Sequence, residues 1–269
     1  SYSVTGVQTC ALPILVAFCH DSTAEPAAVR LFEVDIVVTS LGSQLPVAAA
    51  WGVHAAAPDS RGLVLERVDV RVDVTSKQPA VGIAARGGLR LLDSSVAARN
   101  GGSLAVAALI SPQGEPVTIA RTAFHAGAVG SADPAHVTGL RIDSAGSITL
   151  KDGEVFCEGR YGTAVSVAGE IAIRLEGTTL GRKGTPAGSD TVRLLQLEGA
   201  ATATIAHSRL LGQDATACHS VGSGTALTAL YSEVQGSLSL SPKTRSRLVR
   251  CVALDADGMP VGEMHSTLP

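Results

Sequence analysis

Large rings are scarce in this chain: 4 Phe, 3 Tyr and 1 Trp make up 3 % of its 269 residues. A core without rings must be filled by small and β-branched side chains packed at close range. Charge is scarce as well, at 17 % against 45 % hydrophobic residues, which excludes a disordered chain. The 21 basic residues are outnumbered by 24 acidic ones, so a net charge of −3 argues against a polyanion-binding surface and no nucleic-acid partner is expected. Asparagine occurs once, at Asn100, which removes leucine-rich repeats with their fixed Asn. The longest apolar run, Ala11 to Cys19, is far short of the roughly 20 residues that span a bilayer, so no membrane span is expected. No Lys or Arg precedes that run, as a secretory signal would require. The 5 cysteines include no CxxC pair and no zinc-like spacing.

The stretch Ser3 to Ile14, SVTGVQTCALPI, resembles the conceptual translation of a widely used short-read sequencing adapter. That resemblance implies that residues 1–14 are not native sequence, that Cys10 is not this protein's cysteine, and that the native N-terminus is missing. Cys19, Cys157, Cys218 and Cys251 are then read as buried thiols packing like small hydrophobes, with Cys218 and Cys251 a candidate disulfide.

What the chain has in abundance is a repeat. The template h-x-h-x-x-s-x-h, with h apolar and s small, occurs nine times. It begins at Val34, Ile36, Thr39, Leu41 and Leu63, Leu65, Val68, Val70, and runs to a degenerate copy at Ser246, Leu248, Cys251, Ala253. Successive small positions lie 19 to 31 residues apart. A second alternation precedes most copies, as in Val81 and Ile83 before Gly87, Leu140 and Ile142 before Gly146, Val165 and Val167 before Gly169, and Leu195 and Leu197 before Gly199. In these four, the second apolar residue falls six positions before the next copy, which predicts a turn of constant length. Period-two alternation separated by Gly means short half-buried strands and tight bends. Three such strands in each repeat make one coil of a solenoid, since a single coil cannot bury its own apolar face. The small residues Ser94, Thr122, Thr178, Ser208 and Ser232 are expected to bond along the stack through their hydroxyls.

The copies Val117 to Phe124 (VTIARTAF), Ile148 to Val155 (ITLKDGEV) and Ala203 to Leu210 (ATIAHSRL) resemble coils of right-handed parallel β-helix repeat proteins of the pectin-lyase-like class. The resemblance covers about residues 28–254. It implies an all-β, right-handed parallel β-helix, a single-stranded β-solenoid of about nine coils, over 15–254, with 255–269 a C-terminal turn or cap and tail. The usual Asn ladder of that class is replaced by Ser and Thr. Arg outnumbers Lys 17 to 4, which with abundant Ala reads as a GC-rich bacterial genome.

The template places one residue of each copy, its fifth, in a common column. Arg67, Asp93, Arg121 and Asp152 alternate in sign there and are read as a structural charge ladder, each exposed pair worth about 0.2–1 kcal/mol. A carboxylate between two guanidiniums is held at low pKa and makes a poor general base. Further along, His207, Tyr231 and Arg250 project side by side, with Lys151 and Glu176 in the neighbouring column, as a candidate ligand-binding strip for sugars.

No catalytic constellation accompanies these columns. By the resemblance, lyases of the class hold Ca²⁺ with acidic residues of neighbouring coils. Asp152, Glu154 and Glu176 offer too little charge for that, with Lys151 among them. The hydrolase motifs Asn-x-Asp, Asp-Asp, Gly-His-Gly and Arg-x-Lys are absent, as are GxSxG, HExxH and a P-loop. Asp255-Ala-Asp257-Gly258 starts like a Ca²⁺ loop, but its twelfth position is Ser266, so a turn is expected. The expectation is therefore a non-enzymatic, secreted or cell-surface bacterial scaffold with a structural or glycan-recognition role, without metal or cofactor. The alternative is a polysaccharide lyase or glycoside hydrolase, for which Ca²⁺ becomes a cofactor. A fibre segment that trimerises ranks third.

Overall fold

The computed structural model describes residues 2–7, 15–20, 29–40, 49–55, 62–75, 78–128, 136–159, 161–184 and 191–264. Among them there is no helix, and hence none long and apolar enough to cross a membrane. Every coil contributes one strand to each of three parallel sheets. Sheet A contains Val34–Ser40, Asp69–Val74, Ser95–Asn100, Ala123–Ala128, Glu154–Glu158 and Thr179–Arg182, and continues to Cys251–Leu254. Tyr2–Val7 pairs with Val34–Thr39 in the same sense. Sheet B runs from Leu15–His20 through Ala50–Ala55, Ala80–Arg86 and Leu104–Ser111 to Thr191–Glu198 and beyond. Sheet C runs from Val29–Phe32 through Leu63–Glu66, Leu89–Leu92 and Pro116–Ala120 to Thr202–Ala206, Ala226–Leu230 and Arg245–Val249. The fold is an all-β parallel solenoid, as the repeat requires.

Alternate residues of all three sheets point inward and form one continuous aliphatic core. Phe124 is the largest fully buried side chain, and Val, Ile, Leu and Ala supply nearly all the rest. Where sheet B passes into sheet C, the bends hold Gly87, Gly146, Gly169 and Gly199, each at positive φ. Sheet B carries an irregularity the alternation does not announce: register passes from Trp51–Val81 directly to Val53–Ile83, so Gly52 and Gly82 drop out of pairing. A Cβ on Gly82 would lie 2.5 Å from the Ala107 carbonyl oxygen and 2.6 Å from Val96, so this position of the bulge takes glycine alone.

Two details of the repeat are corrected. Val29 and Leu31 pair with Leu63 and Leu65, and Ile36 with Val70, so the first copy begins five residues before Val34. The fragment from Val34 also alternates, and Val at the small position disguised the true phase; Leu41 lies outside the described residues. Likewise Ile83 stands in register with Leu140, Val165 and Leu195, not with Ile142, Val167 and Leu197, whose partner is Ala85. The turn into sheet C is therefore shorter in that coil.

The bend from sheet C to sheet A is made by a single residue in left-handed conformation. Glu33, Arg67, Asp93, Arg121, Asp152, Gly177, His207, Tyr231 and Arg250 all occupy it, with φ from 48° to 59°. All their amides but that of Arg250, in the last coil, donate to the next coil, for example Asp93 N–H to Ala120 O at 3.1 Å and His207 N–H to Leu230 O at 3.0 Å. The residue two further on donates back to the preceding coil, as Arg209 N–H does to Thr178 O at 2.9 Å. The amide between them makes no backbone hydrogen bond, and in three of the coils the stacked hydroxyl accepts from it. Val68 N–H donates to Ser94 Oγ (3.1 Å), Thr178 N–H to Ser208 Oγ (3.1 Å) and Ser208 N–H to Ser232 Oγ (3.3 Å). The hydroxyls in turn donate to the carbonyl two residues back, as Ser208 does to Ala206 O at 2.8 Å.

At the C-terminal end, Pro260–Met264 pairs antiparallel with Cys251–Leu254. Asp255 Oδ1 accepts from the amides of Asp257 (3.0 Å) and Met259 (2.8 Å), so this segment is a hairpin turn; Ser266 lies outside the described residues. Gln235 Nε2 donates to Asp255 O at 2.7 Å and ties the hairpin to the last coils.

Replacing Ser208 with Ala strands the buried Thr178 amide. We expect a loss of about 1–3 kcal/mol in chemical denaturation. Thr204→Ala, on the outer side of sheet C, should stay within about 0.5 kcal/mol of the parent. Equal effects would contradict the hydroxyl ladder.

Candidate functional site

A left-handed corner aims its side chain away from the core, so the corner column is an outward-facing strip running the length of the stack. Its first part is charged. Arg67 Nη1 donates to Glu33 Oε1 at 2.8 Å, and Arg121 holds both oxygens of Asp93, at 2.6 and 2.8 Å. The charges are thus grouped as Glu33–Arg67 and Asp93–Arg121. Glu33 was missed because the first copy was misphased. Asp152 leans over Gly177, where a Cβ would collide with its carboxylate. Between this column and Asp69, Ser95, Ala123 and Glu154 lies a shallow open groove of about 640 Å³, floored by Val68, Ser94, Thr122 and Gly153.

The hydrogen bonds from Arg121 outweigh partial desolvation and, with the fields of Arg121 and Arg67, hold the Asp93 carboxyl below its ordinary value. Asp93 therefore remains an ion-paired anion near neutrality, unsuited to proton abstraction.

Past Gly177 the column becomes aromatic. The His207 and Tyr231 rings stack with centroids 5.3 Å apart and planes 4° from parallel, and the Arg250 guanidinium lies 5.8 Å from the Tyr231 centroid. Tyr231 is 50 % exposed. One column back, Lys151 Nζ is 4.0 Å from Glu176 Oε1, and Arg174 also reaches Glu176, at 3.3 Å. Those two charges therefore satisfy each other on the outer edge of sheet C, and no hydrogen bond or ion pair joins them to His207, Tyr231 or Arg250 among the described residues. Of the five strip residues read from the sequence, the structure lines up three, with Tyr231 between His207 and Arg250, and pairs the other two with each other.

A second aromatic patch was not anticipated. His136 and Tyr161 lie on neighbouring sheet B strands with ring centroids 5.9 Å apart, beside a cleft of about 220 Å³ that also takes in Arg193. Its signal in the sequence, a polar aromatic opening successive sheet B strands, is obscured by the bulge that disrupts alternation there.

Among the described residues no three His, Cys, Asp or Glu side chains converge to hold a metal ion. Asp152 occupies the corner of one coil and Glu154 opens its sheet A strand, while Glu176 stands on the sheet C side of the next. Cys157, Cys218 and Cys251 are free and buried, so the candidate disulfide is not formed. Cys218 stands in register with Leu195 and Leu238 in sheet B, whereas Cys251 occupies the small position after a corner, donating to Val249 O at 3.6 Å. Burial pushes the Cys157 and Cys218 thiols up to about 12, which leaves them unreactive at neutral pH. Cys10 lies outside the described residues.

Compared with protein-family models, with curated proteins and with solved structures, the chain shows no match.

The Asp93 geometry has a pH consequence. A carboxyl whose folded pKa is depressed stabilises the fold above its unfolded pKa, and that contribution disappears as pH falls through the folded value. In a carbon-detected NMR titration Asp93 should protonate below the ordinary carboxylate range, and Arg121→Gln should move it back up. An Asp93 titration unchanged by that substitution would contradict the pairing.

Proposed function

We propose that this chain is a non-enzymatic scaffold, a right-handed β-solenoid of the pectin-lyase-like kind from a bacterium, that acts outside the cell and recognises glycans along its left-handed corner. The observation that carries the reading is the exposed His207–Tyr231 stack with Arg250 beside it. The outward ring edges give apolar contact to the C–H surface of a sugar, and the flanking imidazole and guanidinium donate to its hydroxyls. Corner geometry reinforces this, because it points these side chains at solvent whatever else the coil does. Three stacked coils at about 4.8 Å each give a platform roughly 10 Å long.

The alternative, a polysaccharide lyase or glycoside hydrolase, draws on the groove beside Asp93, Asp152 and Glu154. It is less favoured because the Asp93 carboxylate is engaged by Arg121 on both oxygens.

Tyr231→Asn is the informative variant, since Asn tolerates left-handed φ and removes only the ring. With β-1,4-linked glucose, xylose and galacturonate hexasaccharides in titration calorimetry, the parent should bind at least one, and Tyr231→Asn should weaken it about tenfold or more. Binding unchanged by the substitution would overturn the strip. New reducing or unsaturated ends that vanish in Asp152→Asn would replace the scaffold with the enzyme.

A further inference from the structure

We infer that the chain carries a second saccharide site, on sheet B at His136, Tyr161 and Arg193, and that it therefore bridges two glycan chains. The site shares the ligand class of the corner strip and none of its residues. Its geometry follows from register. His136, Tyr161 and Thr191 pair across three successive strands, and so do Thr138, Thr163 and Arg193. The residues between the two rows, Val137, Gly162 and Val192, are buried, so both rows point outward. Six outward side chains on strands about 4.8 Å apart thus frame a patch two residues wide and three coils long.

The chemistry of the patch is mixed in the way a pyranose is mixed. Tyr161 is 45 % exposed and His136 is tilted 39° to it, which gives an apolar wall with a polar rim. The hydroxyls of Thr138, Thr163 and Thr191 are offered to the same cleft. Arg193 Nη1 donates to Gln196 Oε1 at 3.0 Å, and Gln196 in turn donates to Glu198, so the guanidinium is held in place with donors to spare. At about 220 Å³ the cleft is smaller than the 300 Å³ or more typical of pockets for drug-sized ligands, and suits a single sugar ring.

Position turns a second site into a different activity. The corner strip lies where sheet C meets sheet A, whereas this patch opens the sheet B strands after sheet A has ended. The two face solvent from different edges of the coil. One molecule holding a glycan at each edge joins two chains and gains avidity in a polysaccharide network.

The test uses the full chain and NMR, titrating the same three hexasaccharides to millimolar concentration. Shifts are expected at the His136 and Tyr161 rings as well as at His207 and Tyr231. Tyr161→Ala should abolish the first pair and spare the second, with Arg193→Gln as the milder variant if Tyr161→Ala fails to fold. The parent should also aggregate the long polysaccharide of the sugar it binds, and Tyr161→Ala should not. Shifts at His207 and Tyr231 alone would overturn this inference and leave the corner reading standing. Shifts at His136 and Tyr161 alone would overturn the corner reading and the bridging, and leave the second site. No shift at either pair across the panel would overturn both.

Discussion

Every coil of this molecule has to turn sharply from sheet C into sheet A without interrupting the hydrogen bonds that hold it to its neighbours. One left-handed residue does this, with its amide donating forward and the residue two further on donating back. The conformation costs roughly 1–2 kcal/mol for each residue that is not glycine. Eight of the nine corner residues incur that cost. What offsets it is continuity: the parallel ladder passes through the bend, and in three of the coils the one amide left over finds a stacked Ser hydroxyl in the next. The core columns stay aligned because the corner does.

The same constraint distributes function. A corner side chain cannot fold inward, so whatever residue occupies the column becomes surface. In the early coils these residues are paired charges, and in the later ones stacked rings and a guanidinium. The shortage of aromatics acquires a meaning here. Phe124 sits in the core, but Tyr161 and Tyr231 are half exposed, each beside a histidine on the neighbouring coil. Aromatic surface held out in solvent by a rigid sheet is surface available for a ligand.

Much of the architecture was legible because period-two alternation and glycine spacing are direct consequences of strand and bend geometry. The corner column could be read as a set of neighbours, and the His207, Tyr231 and Arg250 contact follows from counting alone. That the column is left-handed was hard to read, since Arg and Tyr carry no such mark, and only Asp93, Asp152, Gly177 and His207 are of types that favour it. The first copy was misphased because Val34 and Val68 fill a position that Ser, Thr, Gly or Cys fills elsewhere. The sheet B bulge broke the alternation at Gly52, Gly82 and Gly139, which hid the His136 and Tyr161 patch. Pairing of Lys151 with Glu176 was a matter of side-chain reach, which spacing does not decide.

Hydrogen exchange at the corner tests the central claim most directly. If the ladder continues through the bend, the amides of Asp93, Arg121, Asp152, His207 and Tyr231 should exchange as slowly as those of the flanking strands, through opening of the coil as a whole. Gly258, in the terminal hairpin, should exchange much faster. Corner amides that exchange like an open loop, while the strands on either side stay protected, would contradict the account.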